Sequence, residues 1–322
     1  MSTLPAFTKE EAKRAKVFLA TQVASMMGRK LEEGDWSSVY CRAKKIPNTG
    51  WSNLHIDVSY EGFGLEMKLL RIADLNGKPL KSVCGETLMH PAATRSIRID
   101  DTSADAQSVM EDVFAQYAEL IQQRTDRVRS AAPAGATIDM RIGWLVWEDD
   151  LTEFLYFEEQ MTPPDPARYF AEWNVTPARG VRKASKSLWV YDRNTKQKRY
   201  SVTTSAGIKI QPYFDVPPPS DPNLYYFRVQ SEPVDADTIW LWVASSTARA
   251  LKDRLGSLDR DVVSAAIAEV LAQDVIPSAA TNPEDDLAVP VPVATAIHTQ
   301  LLAAWEAVSD EHRAQLLLKA LV

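Results

Sequence analysis

The stretch His55–Leu70 reads HIDVSYEGFGLEMKLL. Its polar and apolar residues alternate with period two, the pattern of a half-buried strand pair. A two-residue turn at Glu61-Gly62 opposes Tyr60 to Phe63, Val58 to Leu65 and Ile56 to Met67, which with Leu69 make one apolar face. On the other face Ser59 meets Gly64, Asp57 meets Glu66 and His55 meets Lys68. Two facing carboxylates repel, and the sheet gains nothing from them. A cation between them removes the conflict. Lys68 is one candidate; a divalent metal such as Mg²⁺, which takes carboxylate and carbonyl oxygens, is the other. A four-residue turn would instead shift the register by two and pair Asp57 with Lys68 as a surface salt bridge, worth about 0–1 kcal/mol.

The elements that must position these residues follow from periodicity. Thr8–Met27 has helical spacing, with Thr8 as N-cap and Glu11 three residues on. Trp36–Ala43 (WSSVYCRA) is short, β-branched and aromatic and reads as a strand. Leu54–Tyr60 and Phe63–Leu70 are the strands of the hairpin, and Thr94–Ile99 could add a short strand outside this count. Thr102 or Ser103 caps a long helix running to about Val128, in which Gln116 and Tyr117 are packing residues. Ile138–Trp147 is a buried strand with Thr152–Glu159 returning beside it. The order is α, β, β, β, α, β.

The spacing Asp57, eight residues, then Glu66-Met67-Lys68 resembles the D-x(n)-E-x-K core of the PD-(D/E)XK nuclease superfamily, which includes many type II restriction endonucleases. The αβββαβ order is the one that superfamily uses, and the resemblance spans roughly residues 8–160. Ile56 stands where the motif has proline. The resemblance implies a restriction-endonuclease-like α/β (α+β) fold with a mixed sheet and a metal-dependent phosphodiesterase. Asp57 and Glu66 would hold Mg²⁺ (Mn²⁺ as substitute), with the Met67 carbonyl as a further oxygen. A helix glutamate often completes such a site: Glu11 first, with Glu10 and Glu33 behind it. Lys68 would position or deprotonate the attacking water, or stabilise the pentavalent phosphorus. His55 lies on the Asp57 face, within reach of a scissile phosphate, and Arg95 and Arg98 could reach DNA phosphates.

The formal net charge is −7, yet Arg179–Tyr200 holds eight Lys/Arg against the single acid Asp192. Screening confines a field to about 8–10 Å, so a local patch matters more to a polyanion than the global sum. Within it Arg182, Lys183, Lys186, Arg193, Lys196, Lys198 and Arg199 are candidate DNA-phosphate contacts, with Asp192–Lys198 a hairpin tip. Trp189, Tyr191 and Tyr200 read as strand packing. After Leu251 the chain has 11 acids against five bases and turns helical, broken by a Pro-containing loop at Pro277–Pro292. Two cysteines give no disulfide framework or zinc cluster, and nucleotide-binding signatures are missing, so no nucleotide cofactor is expected. No run spans a bilayer and no signal peptide is read, so a cytoplasmic protein is expected.

Three regions are expected: a nuclease core (1–165), a β-rich DNA-recognition region with the basic hairpin (166–245), and a helical C-terminal region for dimerisation or capping (246–322). The leading expectation is a sequence-specific endonuclease acting on double-stranded DNA as a homodimer, because cutting both strands usually takes two sites. The alternatives are a non-catalytic nucleic-acid-binding or assembly module on the same fold, and a nuclease for modified, damaged or branched DNA.

Overall fold

The computed structural model describes residues 3–26, 30–48, 56–72, 79–90, 97–148, 151–178, 183–204, 208–230, 232–271 and 287–306. His55, Arg95 and Arg182 lie outside them. Among the described residues the protein is mixed α/β, with six α-helices and a mixed sheet.

The hairpin takes the two-residue turn. Strand β2 (Val58–Tyr60) pairs antiparallel with β3 (Phe63–Ile72) in the register Tyr60↔Phe63, Ser59↔Gly64 and Val58↔Leu65. Glu61 and Gly62 both have positive φ, 48° and 91°, as a turn matched to strand twist requires. Gly62 is held there twice over, since a Cβ on it would meet the Thr137 carbonyl oxygen at 2.7 Å. Gly62→Ala is therefore expected to destabilise the protein by about 2 kcal/mol, read as a lower urea midpoint at unchanged slope.

Strand β3 then pairs in parallel with β5 (Asp139–Glu148) over ten positions, Phe63↔Asp139 to Ile72↔Glu148. A parallel pair needs a crossover, which α3 (Ala106–Ala131) supplies. Its N-cap is Asp105, whose side chain accepts from the Ser108 N–H, not Thr102 or Ser103. Strand β6 (Glu153–Gln160) returns antiparallel to β5, and β1 (Thr3–Leu4) and β11 (Tyr225–Arg228) pair along its other edge.

One expected strand of the core is a helix here, and the described part of a further expected strand, Thr94–Ile99, is unpaired. Trp36–Ala43 lies inside helix α2 (Glu33–Lys44), because Trp36, Val39, Tyr40 and Ala43 recur at three-to-four spacing and are all buried. Ile97–Ile99 has no strand pairing, and the third strand is β4 (Thr87–Met89), which joins a different sheet. The motif strands thus sit in a hairpin–helix–strand unit, covered on one face by α1 (Lys9–Met26) and α2 through Leu19, Trp36, Tyr40, Leu65 and Met67.

The second sheet has the order β4-β10-β9-β8-β7, with β7 at Tyr169–Thr176, β8 at Ser185–Asp192, β9 at Lys198–Thr203 and β10 at Lys209–Asp215. The expected tip forms: Asp192 Oδ1 accepts the Asn194 and Thr195 N–H groups, both at 2.9 Å. Helix α3, about 39 Å long at 1.5 Å per residue, bridges the two sheets. Its first half packs on the second sheet through Val109, Met110, Val113 and Phe114, and its second half on the first through Ile121 and Val128. Residues 166–245 therefore serve both sheets, since β11 returns to β6.

The C-terminal region is not purely helical. Ala288–Ala294 forms β13, paired over seven positions with β12 (Thr238–Ala244), although Pro290 and Pro292 sit within it. Proline is tolerated because the other side of the strand needs no donor. Helices α4 (Ser245–Leu255), α5 (Arg260–Leu271) and α6 (Thr295–Glu306) pack around this pair. None of the described helices is long and apolar enough to cross a membrane.

Candidate active site

Strand alternation sends Leu65 and Met67, both fully buried, into the core under α1 and α2, and Glu66 and Lys68 to the opposite face. Asp57 enters just ahead of β2. It is 5 % exposed, and its Oδ2 accepts the Met67 main-chain N–H at 2.6 Å. That bond ties the Asp57 side chain to the middle residue of the Glu-Met-Lys triplet. Glu66, also 5 % exposed, receives Lys68 Nζ at 2.6 Å and Arg124 Nη1 at 3.2 Å, both on Oε1. Its Oε2 is buried and has no hydrogen-bond partner.

The electrostatics follow from this packing. Burial, then the charge of Glu66, pushes the Asp57 carboxyl up to about 7, against the pull of the Met67 N–H and Lys68. Burial works to lower the Lys68 ammonium, but Glu66, Glu33 and Asp57 outweigh it and hold it above the ordinary lysine value. Two carboxylates and one lysine therefore share a buried site that resists a second full negative charge.

Of the helix glutamates, Glu33 stands nearest in effect: from the first turn of α2 its charge acts on both Asp57 and Lys68. Glu11 is engaged elsewhere. Its Oε2 accepts the Thr8 N–H at 2.7 Å in a reciprocal helix cap, with Lys44 Nζ at 3.5 Å. Burial raises its carboxyl, but Thr8 and Lys44 bring it below the ordinary value. Glu10 pairs with Lys13 on the surface.

Glu66 and Lys68 open into a cleft of about 990 Å³, part of it open solvent, between the two sheets. Tyr117 and Arg124 of α3 form one wall and Arg199, Tyr200 and Tyr213 of the second sheet another. Tyr117 is thus a cleft residue as well as a packing one. Arg124 was not foreseen, although its spacing of seven from Tyr117 places both on one helix face.

The basic candidates divide. Lys183 and Arg193 are exposed. Arg98 is exposed, its main chain clasped by the Gln116 amide through two 2.8 Å bonds. Lys186 donates to the Thr102 carbonyl and lies 4.2 Å from the Trp173 ring centroid. Lys196 lies over Phe170 at 5.2 Å and Lys198 over Trp189 at 3.7 Å. Arg199 donates to both Asp215 carboxylate oxygens at 2.9 Å.

A divalent cation fits the donors by one observation: Glu66 leaves a buried oxygen with no partner while its other oxygen is taken by Lys68 and Arg124. Among the described residues no three His, Cys, Asp or Glu side chains gather into a ready metal-binding group. The donor set is two carboxylates and main-chain oxygen. Comparison with protein-family models, curated proteins and solved structures finds no match to the chain.

Proposed function

We propose that this protein is a Mg²⁺-dependent DNA endonuclease with a restriction-endonuclease-like core. The observation that carries the reading is the hairpin register. It sets Asp57 beside Glu-Met-Lys, with the Met67 N–H on Asp57 and Lys68 on Glu66, and Glu66 and Lys68 line a cleft between the two sheets. Asp57 and Glu66, with the Met67 carbonyl, are the residues that would hold the metal. Bound there, Mg²⁺ supplies charge neutralisation at the phosphate and a more acidic water.

The chain's own groups supply the rest. Lys68, its ammonium favoured by Glu66, Glu33 and Asp57, would present a fixed cation toward negative charge building on phosphorus. Arg124 provides a second cation on the same face and keeps Glu66 Oε1 occupied. Glu33 helps hold Lys68 charged. The α1–α2 layer fixes β3 from behind, so Glu66 and Lys68 are presented from a rigid strand.

In the fullest form of this reading the enzyme is a cytoplasmic homodimer that restricts double-stranded DNA at one sequence. Digestion of supercoiled and λ-sized DNA with Mg²⁺ and with EDTA tests it. Discrete Mg²⁺-dependent bands are expected. A Mg²⁺-dependent smear would remove the sequence specificity, and uncut DNA in all conditions would remove the nuclease.

A further inference from the structure

The outer face of the second sheet carries an aromatic and cationic surface outside the catalytic group. Leu188, Val190, Val202 and Ile210 are fully buried against α3, so alternation puts Trp189 and Tyr191 on the opposite face. Strand register pairs Phe170↔Tyr191 on β7 and β8 and Tyr191↔Lys198 on β8 and β9, and the Lys198 side chain reaches on to the Tyr213 ring of β10. The Phe170 and Tyr191 rings stack with centroids 5.2 Å apart. Lys198 Nζ sits 3.7 Å from the Trp189 ring centroid and 5.0 Å from that of Tyr213, and Lys196 lies 5.2 Å from Phe170. All four rings are half-buried. With neighbouring strands about 4.8 Å apart, β7 to β10 span about 14 Å.

Flat rings on a sheet face with ammonium groups between them suit a flexible polyanion that offers a π-face at every unit, though the exposed acid Glu172 stands opposite Trp189. Such platforms stack unpaired bases while the cations meet phosphates. A duplex hides its base faces and would leave the rings unused. Tyr213 is also among the residues that line the cleft of Glu66 and Lys68. We infer that the outer face of β7–β10 is a binding platform for single-stranded nucleic acid, laid from Phe170 toward Tyr213. The platform does not rest on the nuclease reading.

The test is fluorescence anisotropy of a labelled twelve-residue oligothymidylate with the full chain in EDTA. Trp189→Ala is expected to weaken binding about tenfold or more, as loss of one stacking ring does, while Trp189→Phe stays close to wild type. Lys198→Gln is expected to lower the salt slope by about 0.7, one single-strand phosphate contact. Melting curves establish that each variant is folded. The inference is overturned if the oligonucleotide does not bind, if folded Trp189→Ala binds like wild type, or if a blunt duplex competes as well as the single strand. Binding is read without Mg²⁺, so the two readings fail separately. DNA cut without oligonucleotide binding removes the platform alone, and binding without any cleavage removes the nuclease alone.

Discussion

Asp57→Asn is expected to abolish Mg²⁺-dependent cleavage, by about 10³-fold or more for the several kcal/mol a metal contributes, and yet to make the protein more stable at pH 8. The two effects share a cause. Burial and Glu66 raise the Asp57 carboxyl to about 7, well above its value in an unfolded chain. Between those values the native state binds the extra proton, so stability falls as pH rises through that window. The contribution of Asp57 to wild-type stability should therefore fall between about pH 4 and pH 7 and stay low above it, the unfolded carboxyl titrating near 3.9. Asparagine still offers an oxygen to the Met67 N–H but carries no charge to desolvate. The melting temperature at pH 8 should rise by about 2–6 °C, since a kilocalorie moves a chain of this size by a few degrees. The difference between the two proteins should shrink toward pH 4. A variant less stable than wild type at pH 8 would contradict the charge arrangement described for the site.

Glu66→Gln should behave in the opposite way. It also removes a carboxylate of the proposed metal site, and cleavage should fall as far. But Glu66 already answers Lys68 at 2.6 Å and Arg124 at 3.2 Å, with side chains only 15 %, 7 % and 30 % exposed for Lys68, Glu66 and Arg124. Removing one member of a buried pair costs about 3–5 kcal/mol in fully enclosed cases. Arg124 is partly solvated and Asp57 can ionise to take over Lys68, so about 2 kcal/mol is expected here. A urea titration at pH 7 reads it directly. Two inactive variants moving stability in opposite directions would be hard to produce by any general disturbance of the fold.

The hairpin could be read in the sequence because two local signals agree, a strict period of two and a glycine where the turn needs positive φ. Helix α1 was equally local, announced by the Thr8 and Glu11 cap. The misreadings arose where composition and spacing disagreed. WSSVYCRA has the residues of a strand but the buried spacing of a helix, and tertiary burial decided. The prolines of AVPVPVA argued against a strand, yet β13 needs donors along one side only. Glu33 and Arg124 reach the site through the packing of α2 and α3, a long-range outcome that no window of sequence contains. The basic hairpin was visible, but Asp215, which holds Arg199, comes from β10, a different strand. Trp189 and Tyr191 read as strand packing, and alternation puts them on the sheet's outer face, where Tyr191 stacks on Phe170.

The measurement that bears most directly on the central claim is nicking of supercoiled plasmid with Mg²⁺ by wild type and by Asp57→Asn at equal folded concentration. Because the variant is expected to be the more stable of the two, lost activity cannot be attributed to unfolding. The account predicts rapid nicking by wild type, none in EDTA, and at least about 10³-fold less by the variant. Equal nicking by both proteins, or nicking that persists in EDTA, would contradict it.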